Sequence, residues 1–427
     1  MAAVRLLLTM FHFTALPVDI DHVGAPELHT MFDHTFFGKR QNFLVKLVES
    51  IMQQSPLSLA GDAGSASTSS SSSSAIATQP SAQRGEVVYH LRRVYVHLLT
   101  SLLCHLHTVN PTMCWHYLNR GFHLILCQLT GFKQNSTGIS KKQKQLLCIY
   151  TNMLVFLCEH CITPDDVTTA SQPSNDDHPL HVLIEQFTRQ AFSISFKPAW
   201  AHCLEIFAVL VDRLDAHADH FLAAQIKLIA SWRDDIAKTG NSPSHLSSLN
   251  HALSTVMKVL PPRKFFNIVP LAINLSDLNE GAERRWVLPL LAQSVEKSCS
   301  LSFYKSYFVK LAHDLREVAR QAFNQEKTPQ AQQANALRTQ IWTLFPRFVI
   351  DPVDPHDGFK LIARDLADEL INASKPSEKE LQNKQIVRSV AIGIERFIET
   401  NKQRIEQFET NKQIETNKQI ETNKQIE

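Results

Sequence analysis

Between Val87 and Leu370 apolar residues return at helical spacing almost without a break. Val87, Leu91, Val94, Leu98 and Leu102 step by three or four, which places them on one face of a helix. Asn110-Pro111 then offers an N-cap followed by a proline at the first helical position, opening a helix that carries Trp115, Leu118, Phe122 and Leu126. A third pattern runs from Leu146 to Leu157. After the polar stretch Thr163 to Asp177, further helices are expected from about Leu180, Pro198, Ala216 and Pro243. The clearest pattern lies between Ser302 and Ala322, with Tyr304, Phe308, Leu311, Leu315, Val318 and Ala322 on its inner face. Asp354-Pro355 repeats the cap-and-proline signal and opens a helix with Phe359, Ile362, Leu366 and Leu370 inward.

Taken two at a time, these patterns give pairs near 86–132, 198–236, 284–323 and 329–374. The pairs span between 39 and 47 residues, about the period of HEAT repeats, in which a hairpin buries its apolar face only by stacking on its neighbours. Pro270 and Pro289 fall inside apolar runs and are expected to bend or stagger helices that stacking holds in place. The expected fold is therefore all-α, an irregular HEAT/armadillo-like α-solenoid of stacked helix hairpins. Residues 1–54 form an N-terminal helical segment with Phe36, Phe43, Leu47 and Ile51 at helical spacing, and 55–85 a disordered Ser-rich loop. Residues 86–258 carry HEAT-like repeats, 259–374 continue the solenoid, and 375–427 hold a last helix and a tail. In that tail Glu409-Thr410-Asn411-Lys412-Gln413-Ile414 recurs at 415–420 and 421–426. Six residues advance about 600° around a helix, so Ile414, Ile420 and Ile426 spread over three faces and build no apolar stripe.

Composition narrows the classes. A net charge of +2 on 427 residues excludes a strong basic field for nucleic acid. Only 12 glycines, against many Leu, Ala, Gln and Lys, favour helix over sheet. Most of the eight cysteines sit in apolar helical patterns, which reads as free thiols in a reducing compartment. The run Leu6 to Leu16 is too short and too mixed to span a bilayer, so no membrane partner is expected.

Candidate chemistry is sparse. Cys158-Glu159-His160-Cys161 with His178 and His181 makes C-x2-C and H-x2-H, the ligand types of a zinc site, although the histidine pair is closer than the usual three to five residues. Thiols packed at a helix end are the favoured reading, so no metal is expected; these four are the candidate ligands of the less favoured alternative, a zinc-dependent protein. No nucleophile elbow, phosphate-cradling glycine loop or dinucleotide fingerprint is present, so neither an enzyme, a cofactor nor a small-molecule substrate is expected. Lys141, Lys142 and Lys144, and Arg284 with Arg285, are candidate surface residues for RNA backbone or acidic partners.

Within 259–371, Val259-Leu260-Pro261, Arg285-Trp286-Val287-Leu288-Pro289-Leu290-Leu291, Phe303, Gln340-Ile341-Trp342-Thr343-Leu344-Phe345-Pro346 and Asp351-Pro352 followed by Asp354 stand in order. This arrangement resembles the ribosomal RNA-processing protein twelve family, HEAT-repeat nucleolar factors of ribosome biogenesis, in a truncated form. The resemblance implies a non-enzymatic scaffold in the nucleus and nucleolus that assists pre-rRNA processing and the maturation and export of pre-ribosomal subunits, pre-40S especially. Its implied partners are pre-ribosomal particles and nuclear transport factors, with weak rRNA contact. A generic HEAT adaptor of the nuclear-transport or phosphatase-scaffold kind is the other alternative. Trp286, Phe308, Leu311, Leu315, Trp342 and Leu366 are the expected core. Cutting Trp342 to Ala is expected to cost about 3–5 kcal/mol, read as a lowered melting temperature; a variant that melts with the parent refutes it.

Overall fold

A computed structural model describes residues 41–53, 81–130, 141–239, 245–275, 278, 284–295, 299–373 and 383–402. Phe36, the run Leu6 to Leu16, the serine run Ser69 to Ser74 and the six-residue repeats lie outside them. Apart from an isolated bridge between Cys299 and Pro352, every regular element among the described residues is helical. The expected all-α fold is borne out. The chain divides into two compact units, one of Met1–Gln225 with Ser244–Ala252 and one of Ile226–Pro243 with Leu253–Glu427.

The first unit holds α1 (Gln41–Gln53), α2 (Ser81–Val109), α3 (Pro111–Cys127), α4 (Lys141–Cys161), α5 (Pro164–Ala170), α6 (Pro179–Ala191) and α7 (Trp200–Leu214). Its centre is α2, which packs against α1, α3 and α4. The sequence pattern marks one apolar face of α2, but the helix is covered on every side from Tyr95 to His107, including Thr100, Ser101 and His105. Asn110 caps α3 as expected, its side chain accepting from the Met113 N–H at 3.0 Å. Thr163 and Asp166 form a reciprocal capping box on α5, and Asp166 also accepts from the Trp115 indole at 3.2 Å, tying α5 to α3. One stretch of described residues, Ile194–Ile236, is long and apolar enough to cross a membrane by length and composition. Within it, however, Leu204, Ile206, Phe207, Leu210 and Val211 of α7 are fully buried, the mark of a core helix.

The division between units falls inside α8 (Ala218–Thr239) and α9 (Leu246–Val259). The second unit continues with α10 (Pro262–Ile268) and α11 (Val287–Ser294). In α12, Leu301–Phe303, a π-helical turn Tyr304–Val309 and Lys310–Asn324 run on as one helix. Then come α13 (Thr328–Phe348), α14 (Pro355–Ala373) and α15, residues 383–402. The three residues Gln325–Lys327, with Glu326 at φ 61°, fold α13 tightly back on α12, so the dominant hairpin is α12–α13 rather than the expected 284–323 and 329–374 pairs. Pro270 follows the end of α10 and Pro289 stands in the first turn of α11, so both prolines mark helix boundaries and bend nothing.

An aromatic seam fills this unit. Phe266 of α10 meets Tyr307 and Phe308 at 5.0 and 5.4 Å, and Phe308 meets Phe348 of α13 at 5.6 Å. Tyr304 touches Trp342 and Phe348, and its hydroxyl donates to the Ile341 carbonyl at 2.9 Å. Bonds from residue i to i+5 widen the π turn, so the buried face beyond it reads Ala312, Leu315, Ala319 and Ala322. Leu311 and Val318, expected inward, are half-buried beside it.

Gly393 of α15 lies so close to α13 that a Cβ there would stand 2.3 Å from the Phe345 ring, itself fully buried. Alanine adds up to about 1 kcal/mol of helix propensity, yet overpacking of this kind costs about 1–3 kcal/mol. Gly393→Ala is therefore expected to lower stability by about 1–2 kcal/mol in denaturant unfolding. Unchanged or raised stability would show that the ring yields.

Candidate functional site

The structure does not bring Cys158, Cys161, His178 and His181 together. Cys158 is buried in α4, and burial pushes its thiol well above the ordinary range. His178 serves as the N-cap of α6, its Nδ1 accepting from the Leu180 N–H at 3.2 Å. The Nε2 of His181 sits 2.9 Å from the Ala170 carbonyl. Both rings hold helix ends in place, a use that a C-x2-C and H-x2-H spacing cannot distinguish from ligation. Among the described residues, Cys161 instead shares a buried cluster with His107 of α2 and Cys114 of α3. There hydrogen bonding with Cys161, opposed by burial and assisted by His107, draws the Cys114 thiol down to about 7. Hydrogen bonds with Cys104 and Cys114, reinforced by burial, push Cys161 well up.

Of the basic candidates, Lys141, Lys142 and Lys144 are exposed in the first turn of α4, which carries no acidic residue. They place three positive charges close together on the surface of the first unit. Arg284 is different. Its Nε donates to Asp234 at 2.8 Å and its NH1 to the Pro270 carbonyl at 2.9 Å, so it works as an internal brace and not as a surface contact. Arg285 is exposed.

The Trp286 segment is anchored by the same acid. The Trp286 indole donates to Asp234 at 2.8 Å, and the Arg233 guanidinium lies 5.4 Å from the centre of the Trp286 ring. Asp234 lies some fifty residues away on α8, in an Arg-Asp-Asp run that looks like a solvated face, and no local signal singles it out.

Asp351-Pro352 and Asp354 also acquire a physical role. The Val353 N–H donates to the Cys299 carbonyl at 2.8 Å, aligning 351–354 with the entry to α12. Asp354 then accepts from the N–H groups of Leu301 and Ser302 at 2.7 and 3.0 Å and from the Ser300 hydroxyl at 2.9 Å. Burial opposes the charge, but these bonds prevail and hold the carboxyl below its ordinary range. Its side chain thus caps α12, while its backbone carbonyl begins α14 by accepting from Gly358 at 2.8 Å. Ser300 adds a bond to the Phe303 N–H at 3.1 Å.

Of the expected core residues, Trp286, Phe308, Leu315, Trp342 and Leu366 are buried and Leu311 is half-buried. A second buried acid missed by pattern, Glu369 of α14, pairs with Arg338 of α13, both nearly without solvent contact.

Compared with known proteins, the chain matches the family model "Ribosomal RNA-processing protein 12, HEAT repeats" over residues 140–427, more than half its length. Proteins named "RRP12-like protein" from Homo sapiens and Gallus gallus are each 23% identical over 270 and 257 residues, 60% of this chain and 20% and 18% of theirs. One from Drosophila melanogaster is 30% identical over 112 residues, 26% of this chain and 8% of its own. The chain spans about a fifth or less of the length of these curated relatives.

The buried polar row on α2 makes stability depend on pH. Burial, reinforced by nearby Arg93, lowers His97 to about 4 from 6.5. The unfolded chain therefore binds a proton that the folded chain refuses, and stability falls as pH drops through 6.5 toward 4. The His97 contribution is expected to be about 2 kcal/mol smaller at pH 5 than at pH 7. Urea unfolding of parent and His97→Leu at both pH values should show a flatter response in the variant; parallel responses would refute the assignment.

Proposed function

The chain belongs to the ribosomal RNA-processing protein 12 family, and on that premise we propose that it is a non-enzymatic helical scaffold of ribosome biogenesis. It assists pre-rRNA processing and the maturation and nuclear export of pre-ribosomal subunits, pre-40S particles above all, in the nucleus and nucleolus. The observation that carries this reading is the family match across residues 140–427. Its partners are pre-ribosomal particles and nuclear transport factors, met through helix surfaces.

The internal chemistry supports that reading. Asp234, Asp354 and Glu369, which a reaction would need free, hold helices together. What remains for partners is outer surface. Lys141, Lys142 and Lys144 at the start of α4, and Arg285 in the second unit, serve weak, salt-dependent rRNA contact.

Tagged full-length chain expressed in cells is expected to sediment with pre-40S particles on a density gradient; protein confined to the top fractions would overturn the proposal. Replacing Lys141, Lys142 and Lys144 together by Ala is expected to weaken single-stranded rRNA binding in vitro. Loss of three phosphate contacts should also reduce the slope of log affinity against log salt by about 2. An unchanged slope would remove these lysines from the interface.

A further inference from the structure

We propose that His107, Cys114 and Cys161, with Cys104 as the fourth ligand, form a structural zinc site that joins α2, α3 and α4. The donor atoms of the first three all lie within 4.8 Å of one another, and all three residues are buried. Cys104 is buried beside them, its Sγ 3.8 Å from that of Cys161. A tetrahedron with metal–sulfur bonds of about 2.3 Å has sulfur–sulfur edges of about 3.8 Å. The Cys104–Cys161 pair already stands at that separation, and binding would draw the Cys104 sulfur in toward His107 and Cys114 to close the tetrahedron.

Local geometry explains how three helices reach one point. Cys104 and His107 are three residues apart on α2 and share a face. Cys114 lies in the first turn of α3, just past the Asn110 cap that turns the chain between α2 and α3. Cys161 is the last residue of α4. Without a metal one polar atom of the site is left over. Cys114 has a weak contact to the Leu103 carbonyl at 3.3 Å, and the buried Nδ1 of His107 has no hydrogen-bond partner among the described residues. Orphaned imidazole nitrogen is costly in an apolar interior. A zinc ion would accept lone pairs from neutral His107 and from three thiolates, the protons of Cys104, Cys114 and Cys161 leaving to solvent. Three sulfurs and one imidazole in a closed tetrahedron suit zinc, and with no open position the site is structural and not catalytic. This proposal does not depend on the ribosomal reading.

The test uses full-length chain expressed with added zinc and purified without chelator under reducing conditions. Elemental analysis is expected to find about one zinc per chain, and chain stripped of zinc is expected to bind cobalt with the visible spectrum of a tetrahedral thiolate complex. Cys114→Ser and Cys161→Ser should lose the metal, whereas Cys148→Ser, at an exposed position on the same helix, should keep it. The parent's own zinc content and cobalt spectrum decide the matter even if a variant fails to fold. A parent that holds no zinc and takes up no cobalt overturns the proposal. So does a mass spectrum showing Cys104 and Cys161 joined as a disulfide, zinc retained by folded Cys114→Ser, or zinc lost from Cys148→Ser.

Discussion

A helix covered on nearly every side strands the polar groups it buries unless partners inside receive them, and α13 shows how the second unit supplies most of those partners. On α13 the buried positions include Asn335, Arg338 and Thr339 alongside Leu337, Ile341, Trp342, Leu344 and Phe345. Asn335 and Thr339 return their side chains to carbonyls one turn back, at 2.9 and 2.8 Å. Arg338 cannot do so and relies on Glu369 of α14. Removing one member of such a pair leaves a buried charge alone, which costs about 3–5 kcal/mol, although the intact pair adds little over an apolar replacement. The pair therefore acts mainly as a register constraint: α14 is accepted against α13 where carboxylate meets guanidinium.

The parts of this architecture that were legible in the sequence are those decided within one or two helical turns. Asn110-Pro111 announced a capped helix, and the inward faces of α3 and of the first turns of α12 could be read from spacing alone. What escaped was decided across long separations or by a local change of helical pitch. The π turn in α12 shifts its face from Leu311 and Val318 toward Ala312 and Ala319, and side-chain periodicity has no term for such a turn. Asp354 looked like the cap of its own helix because its side chain and backbone carbonyl can cap different helices at once. Arg284 looked like surface charge because its acceptor, Asp234, lies fifty residues upstream. In the same way Cys161 stands near His178 and His181 in sequence, but the fold takes it to His107 and Cys114.

The segments that carried the family resemblance turn out to share one kind of task. Trp286 is fixed by Asp234, Trp342 fills the seam beside Tyr304, and Asp351 to Asp354 align and cap the start of α12. Each sets the position of one helix against another. Residues that specify stacking are constrained by everything they touch, whereas exposed positions such as Lys141 and Lys144 are constrained only by what binds there. A likeness concentrated in Trp, Pro and Asp at helix junctions therefore identifies the scaffold more strongly than it identifies a partner surface.

The two units also satisfy burial with different chemistry, and this separates the perturbations to which each responds. The second unit is filled by rings and an internal ion pair, so changes of volume or loss of a partner are what weaken it. In the first unit the central helix brings histidines and thiols inward at His97, His105, His107 and Cys104. Imidazoles and thiols are chemically more reactive than phenyl rings, and of these groups His97 is held neutral by burial. Lowered pH therefore reaches the first unit through a buried imidazole, His97, and the second through the carboxylate of Asp354 that caps α12.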